Sequence, residues 1–221
     1  MKIYIVIPAF NEADHITKVI TDLKNHGYEN IVVVDDGSTD GTFELAKKNQ
    51  VKVLQHVVNR GMGAALQTGN DFALKQGAEV IVHFDADGQM LASDIKNMVD
   101  PIINEKIDIT LGSRFLSSKG EMPLSKKYII HPLAKVINYF FTRLWLSDVH
   151  NGFRALSAQA AKKIIITQDR MAHNTEIVEK IKKYHLKYRE VPVTIKYYEY
   201  GQSIGGGLKI LRDLLIGKLI R

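Results

Sequence analysis

A chain of 221 residues with 45% hydrophobic content has room for one domain with a substantial core, or one core plus an appendage. It has no cysteine, which excludes a disulfide framework, a thiolate metal site and a thiol nucleophile. The net charge of +6 is unevenly divided: residues 1–110 carry 10 Lys+Arg against 16 Asp+Glu, and residues 111–221 carry 20 against 8, so an anionic partner is expected at the second half.

The N-terminal run "MKIYIVIPAF" is too short for a secretory leader and is broken by Pro8. It reads instead as a strand, "KIYIVIP". Ile16, Val19, Ile20 and Leu23 then recur at helical spacing up to Gly27. A strand "NIVVVDDGS", a short helix with Leu45 and Ala46, and a strand "VKVLQH" follow. Next come a helix through Ala64, Ala65, Leu66, Phe72 and Ala73, a strand "EVIVHFD", a helix from Ser93 or Asp94 to about Asn104, and a strand "IDITLGSR". Such alternation predicts an α/β domain with a mostly parallel sheet. Ligands bind such sheets beyond the carboxyl ends of the strands. The polar clusters "PAFNE", "DDGSTDGT" and "DADGQ" each follow a strand, so they are expected on one rim.

The second half is less regular. It offers an amphipathic helix "HPLAKVINYFFTRLWL", a loop running into a strand at "DVHNGFRALS", a helix "AHNTEIVEKIKKYH" and a strand "KYREVPVTIKYY". The tail "GGGLKILRDLLIGKLI" places Leu and Ile on one helical face among Lys209, Arg212, Lys218 and Arg221, the composition of an interfacial helix. With no run of about 18 apolar residues, no membrane span is expected. The expected location is cytoplasmic, with the basic second half docking peripherally on an anionic membrane surface; packing on the domain or a homo-oligomer contact is the alternative for the same helices. Nucleic acid is not expected as a partner, because no recognition motif or aromatic-rich basic segment accompanies the charge.

Asp85 and Asp87 stand at the mouth of an apolar strand. In an extended segment they share a face, and Gln89 continues the phase. Two like charges so placed invite a divalent cation, and Mg²⁺ or Mn²⁺ favours oxygen ligands supplied by one or two carboxylates plus substrate phosphates. A solvated turn is the plainer reading of "DADG". Asp35 and Asp36 read either as a turn with Gly37 or as strand-end carboxylates that accept from a ribose or base. "NRGMGAALQTG" fails the dinucleotide fingerprint, since Leu66 fills the third glycine position; it reads as a turn and a helix start. His83, alone on an apolar strand, reads as a core histidine, and Trp145 with Phe140 and Phe141 as packing or an interface. His173 and Glu176, one helical turn apart, offer a general base or a packed helix face.

Taken together and in order, "VIPAFNE", "VVVDDGSTDGT", "NRGMGAALQTG", "HFDADGQ", "LGSRF" and "DVHNGFRALS" resemble the inverting glycosyltransferases of family 2, with the GT-A fold. The resemblance spans roughly residues 3–205 and is closest to the dolichyl- or polyprenyl-phosphate mannosyl- and glucosyltransferase branch. It implies a GT-A domain over 1–205, with a nucleotide-sugar half to about 115 and an acceptor half beyond, followed by an amphipathic tail at 206–221. It further implies that Pro8, Ala9, Phe10, Glu12, Asp35 and Asp36 line the nucleoside pocket, with Asp85 and Ala86 near the donor sugar. Asp85, Asp87 and Gln89 match the family's metal site for Mg²⁺ or Mn²⁺. Asp85, Asp87 and Arg114 would be the catalytic set, Arg114 contacting phosphate. Lys126, His173, Glu176 and Ser203 would lie on the acceptor side. The chain departs from the lipid-phosphate branch after Ser203, where Ile204 replaces a lysine; a diphosphate-clamping cation would then come from elsewhere, such as Lys196 or Lys209.

The implied reaction moves a sugar, with inversion, from a nucleotide-diphosphate donor to a polyprenyl phosphate or a cell-envelope glycan. A phosphomonoester acceptor needs no general base, because its second pKa of about 6 leaves it largely ionised. A hydroxyl acceptor needs one, and Glu176 or Asp148 would be the candidates. Two competing readings are a nucleotidyltransferase, which lacks support because "IPAFNEADHI" is neither glycine-rich nor basic, and a non-catalytic nucleotide-sugar-binding subunit of a membrane complex.

Overall fold

The structure is a computed structural model that describes residues 1–116, 144–148 and 151–196. Seven strands form one sheet: β1 Ile3–Ala9, β2 Ile31–Asp35, β3 Lys52–Gln55, β4 Val80–His83, β5 Ile109–Ser113, β6 Arg154–Ser157 and β7 Tyr188–Pro192. Their order is β3-β2-β1-β4-β6-β5-β7. β6 runs antiparallel to β4 and β5, while the other neighbours are parallel. The helices are α1 Ile16–Asn25, α2 Thr42–Lys48, α3 Met62–Lys75, α4 Ile95–Glu105, α5 Ala158–Lys163 and α6 His173–Lys183. A single 3-10 turn, Ala92–Asp94, leads into α4.

The inner strands β1, β2 and β4 read as near-continuous apolar runs because both faces of the sheet are covered there, while the edge strands β3 and β7 keep exposed positions. Ile5, Ile7, Ile31, Val33, Val80 and Val82 face one layer, with Ile16, Val19, Ile20 and Leu23 of α1 and Ile95, Met98 and Val99 of α4. Tyr4, Val6, Val32, Val34, Ile81 and Leu156 face the other, against α3, α5 and α6. The sheet is therefore the middle layer of three. Gly69 of α3 lies so close to β1 that a Cβ would run into Val6, which explains the glycine in the middle of a helix. Pro8 is tolerated in a central strand because its nitrogen faces the β4 side, where the ladder has already ended at the Val6–His83 pair.

Most expected elements are present within a residue or two. The short helix α5, capped by Ser157 Oγ accepting from Ala160 N, was not expected from the sequence. The helix expected over 131–146 lies outside the described residues, apart from Leu144, Trp145 and Leu146, which are not helical. The tail beyond 196 also lies outside them. Among the described residues, no helix is long and apolar enough to cross a membrane.

Candidate active site

The carboxyl ends of β1, β2, β3, β4, β5 and β7 share one rim, and β6 enters from that rim through Asn151, Gly152 and Phe153. The first two polar clusters interlock there. Asn11 N donates to Ser38 Oγ (3.0 Å), Thr39 N to Asn11 Oδ1 (2.9 Å), Glu12 N to Thr42 Oγ1 (2.8 Å) and Ala13 N to Asp40 Oδ2 (3.0 Å). The carbonyl of Glu12 in turn accepts from His15 N and Ile16 N, starting α1. Pro8, Ala9 and Ala86 are buried, so they can present only backbone to a ligand, and the Ala9 carbonyl is already taken by Asp36 N at 2.8 Å. Phe10 stands out, 46% exposed.

Asp35 and Asp36 are both buried. The carboxylate of Asp36 holds the loop after β3: Oδ1 accepts from His56 Nδ1 (2.7 Å) and Arg60 N (3.0 Å), and Oδ2 from Gly61 N (2.6 Å). Asp36, expected to face the nucleoside, thus already holds three donors of that loop. Asp35 keeps one oxygen, Oδ1, without a partner, while Oδ2 accepts from Gln55 Nε2 and Ser38 N. Of the pair, Asp35 has the unspent acceptor. The N-terminus of α3 is likewise occupied: Gly63 N and Ala64 N donate to the Asp169 carbonyl. The glycines of "NRGMG" admit the 168–170 loop rather than a phosphate, as a Cβ on Gly61 or Gly63 would strike Asp169 or Gln168.

Asp85 and Asp87 do not share the expected extended phase. The strand ends at His83, and residues 86–88 turn, with Gly88 at φ +74°. Asp87 Oδ1 accepts from Gln89 N at 2.9 Å, and the Gln89 carbonyl accepts from Lys196 N at 2.8 Å. Asp85 continues the face of Ile81 and His83. The β4–β6 register, His83 opposite Arg154, sets Asp85 opposite Gly152. A Cβ at 152 would lie 3.0 Å from Asp85 Oδ2, so a side chain there would press the carboxylate to shift by a few tenths of an ångström. Among the described residues, nothing donates a hydrogen bond to that carboxylate, and its crowding by protein together with the charge of Asp87 pushes its pKa up to about 7, against the pull of Arg154. The pKa values of Glu12 and Asp87 are also raised, in both chiefly by burial and in Glu12 next by Asp87. Three carboxyl groups with raised proton affinity therefore sit in one negative field that a cation would relieve.

The acceptor-side residues divide. Glu190 of β7 takes Ser147 N and Oγ (2.7 and 2.6 Å) and Asp148 N (3.2 Å), fixing the segment that carries Asp148. Asp148 then grips Arg114 in a two-pronged pair, Nε to Oδ2 at 2.7 Å and Nη2 to Oδ1 at 2.8 Å. Glu176 Oε1 and Oε2 accept from Thr167 N and Oγ1, Gln168 N and Lys180 Nζ, closing the 166–168 loop on α6. Burial opposes its ionisation, but these bonds from Lys180, Thr167 and Gln168 win and lower its pKa. His173 is fully buried, its Nδ1 donating to the Arg170 carbonyl at 2.7 Å, and burial beside Arg154 pushes its pKa down to about 4. Neither His173 nor Glu176 is placed as the free general base that their spacing suggested. Lys126, Ser203 and Lys209 lie outside the described residues.

Sequence reading passed over Gly152, Arg154, Asn174 and His56. Arg154 had a signal, a cation between Phe153 and Ala155 at a strand start. The others acquire meaning only from residues far away in the chain. Among the described residues, no three carboxyl or imidazole groups close into a metal cage.

Comparison with known proteins adds to this geometry. The family model for glycosyl transferase family 2 matches residues 4–165. An uncharacterised protein of Methanocaldococcus jannaschii is 42% identical over 99% of this chain and 93% of its own. The UDP-N-acetylglucosamine–dolichyl-phosphate N-acetylglucosaminyltransferase of Methanococcus voltae is 35% identical over 98% of this chain and 96% of its own. Among solved structures, glucosyl-3-phosphoglycerate synthase from Mycobacterium tuberculosis, crystallised with Mn²⁺, UDP and glucosyl-3-phosphoglycerate, superposes with a TM-score of 0.71 at 16% identity, over 97% of this chain and 78% of that one. At that identity the likeness is one of fold.

Proposed function

The chain belongs to glycosyltransferase family 2 with a GT-A fold, and from that footing we propose that it transfers a hexosyl group, with inversion, from a nucleotide-diphosphate sugar to a polyprenyl phosphate. The observation that carries the donor half is the Asp85–Asp87 rim: a half-buried carboxylate without a hydrogen-bond donor, its proton affinity raised by burial and a neighbouring acid. Such a group fits a divalent cation, and Asp85 and Asp87 would hold it, with Gln89 adjacent on the same turn. When bound, Mg²⁺ or Mn²⁺ supplies Lewis-acid neutralisation of the departing diphosphate. Asp35 offers its unspent oxygen to the nucleoside, and Phe10 offers an exposed aromatic face. Glu12 lies in the same field and orders the loop between them.

In the reaction, an acceptor oxygen forms a bond to the anomeric carbon while the bond from that carbon to the diphosphate oxygen breaks, and the electron pair leaves with the nucleoside diphosphate. A hydroxyl acceptor must also lose a proton. Asp148 is committed to Arg114, Glu176 to the 166–168 loop, and His173 is buried. With all three candidate bases engaged, an acceptor that arrives already ionised is favoured, and a polyprenyl phosphate is one. The printed activity of the Methanococcus voltae relative points the same way. Arg114, oriented by Asp148, would meet phosphate at the rim, and the membrane-bound acceptor implies peripheral association with a lipid surface.

The test is transfer from a panel of nucleotide sugars, UDP-N-acetylglucosamine included, to a short polyprenyl phosphate, read by mass spectrometry of the extracted lipid. Metal-dependent glycolipid formation that chelation abolishes is expected. Transfer to a sugar hydroxyl but not to the lipid phosphate would overturn the acceptor assignment, and chelator-insensitive transfer would overturn the metal.

A further inference from the structure

Behind the rim lies a buried cation that no carboxylate pairs with among the described residues. Arg154 opens β6 and is 1% exposed, the largest fully buried side chain among the described residues. Its guanidinium makes one hydrogen bond, from Nη2 to Asn174 Oδ1 at 2.7 Å. Nε and Nη1 are buried with no hydrogen-bond partner. Burying a charge this way is unfavourable unless something compensates it.

The surrounding groups are neutral. His83, directly opposite on β4, uses Nε2 to donate to Asn70 Oδ1 at 2.9 Å, which leaves Nδ1 as a bare acceptor. His173 donates through Nδ1 to the Arg170 carbonyl, leaving Nε2 bare. Burial and the Arg154 charge both hold these rings unprotonated. Asp85 sits two residues beyond His83 on the same face, across from Gly152, which is two residues before Arg154. Asp85 and Asp148 are the carboxylates whose field the guanidinium feels.

We propose that Arg154 is a positioning residue of the donor site, an internal counter-charge sealed behind β4 and β6 that acts through its field on Asp85 and on the diphosphate, not by contact. It offsets the negative rim so that a polyanionic nucleotide can approach three carboxyl groups. It also favours the state in which charge has moved onto the leaving diphosphate, and being held in the fold it needs no reorganisation to do so. The proposal rests on the reading of Asp85 as the cation-holding carboxylate.

An electrostatic role has a signature that a packing role lacks. Removing the cation should loosen an anion and tighten a metal ion at one site. With Arg154→Met, calorimetry at pH 8 should show metal-free UDP or GDP, whichever the parent binds, weakened about tenfold, and Mn²⁺ alone bound several-fold more tightly, the order expected for removing one charge from a partly buried site. Arg154→Lys, which keeps the charge, should restore both. Asn174→Asp places a carboxylate against Nη2, neutralises the guanidinium without deleting it, and should reproduce the Met pattern; it carries the test if Arg154→Met does not fold. Parallel loss of both ligands, or parent-like binding in the folded variants, would overturn the proposal. Asp85→Asn separates the two layers of inference. If it leaves Mn²⁺ binding intact, the assignment of Asp85 itself fails; if it abolishes Mn²⁺ binding while the Arg154 and Asn174 variants match the parent, only the counter-charge fails.

Discussion

Asp85→Asn should make the ligand-free protein more stable at neutral pH while stopping transfer. The folded chain raises this carboxyl from its ordinary 3.8 to about 7, so at pH 8 its ionised form costs up to about 4 kcal/mol, at about 1.4 kcal/mol per decade of proton affinity. Asp87 and Glu12 contribute to the same field, and part of the strain persists in them, so about 2–4 kcal/mol is the expected gain. In a chain of this size that is a rise of about 5–10 °C in Tm. The sign follows from linkage. The folded state holds the Asp85 proton more tightly than the unfolded chain does, so parental stability falls as pH rises from about 4 to about 7. Asparagine has no proton to lose there. Thermal unfolding of the two proteins from pH 4 to pH 8 should show a gap that opens across that window and is flat above it. Mn²⁺ should then raise Tm in the parent and not in the variant. Equal Tm at pH 8, or a gap of the same size at pH 4, would refute the argument, since the latter would reflect packing.

Other substitutions separate scaffold from chemistry. Asp36→Ala strips acceptors from His56, Arg60 N and Gly61 N; it should cost about 2–4 kcal/mol, speed amide exchange at Arg60 and Gly61, and weaken nucleoside diphosphate binding even without metal. A binding loss confined to metal-containing conditions would move Asp36 to the metal site. Gly152→Ala presses a methyl group toward Asp85 Oδ2; metal-dependent donor binding should fall about tenfold or more with Tm within a few degrees, overpacking being a cost of about 1–3 kcal/mol. Undiminished binding would show that Asp85 has room. Glu176→Gln turns an acceptor of the Thr167 and Gln168 amides into a partial donor and should destabilise by about 1–3 kcal/mol at pH 7. Because the folded pKa of Glu176 is lowered, the parent's advantage should be present above pH 4.5 and fade as the solution is acidified further. Turnover per folded molecule should persist, and its collapse would restore Glu176 as a base.

The sequence carried the sheet and the rim because both are written in local pattern. "IVVV" is apolar at every position, since each of these residues of β2 is covered from one face or the other, and the acidic clusters fall where such strands stop. It did not carry the roles of the acids within the clusters. Asp35 and Asp36 are adjacent and chemically identical, yet opposite sheet faces send one toward Gln55 and the other into a loop held 20 to 25 residues downstream. Glu176 looked like a base beside His173, but Thr167 and Gln168, nine and eight residues back, need its oxygens. The same distance effect hid Arg154. In "NGFRALS" it is one cation at the start of a strand, and only the antiparallel register with β4 brings it behind the rim, in line with His83 and two pairs away from Asp85. Strand pairing across some seventy residues is the step that converts an apolar run ending in acids into a charged site with a buried counter-ion. A motif can place the carboxylates, but the register decides which cation they answer to.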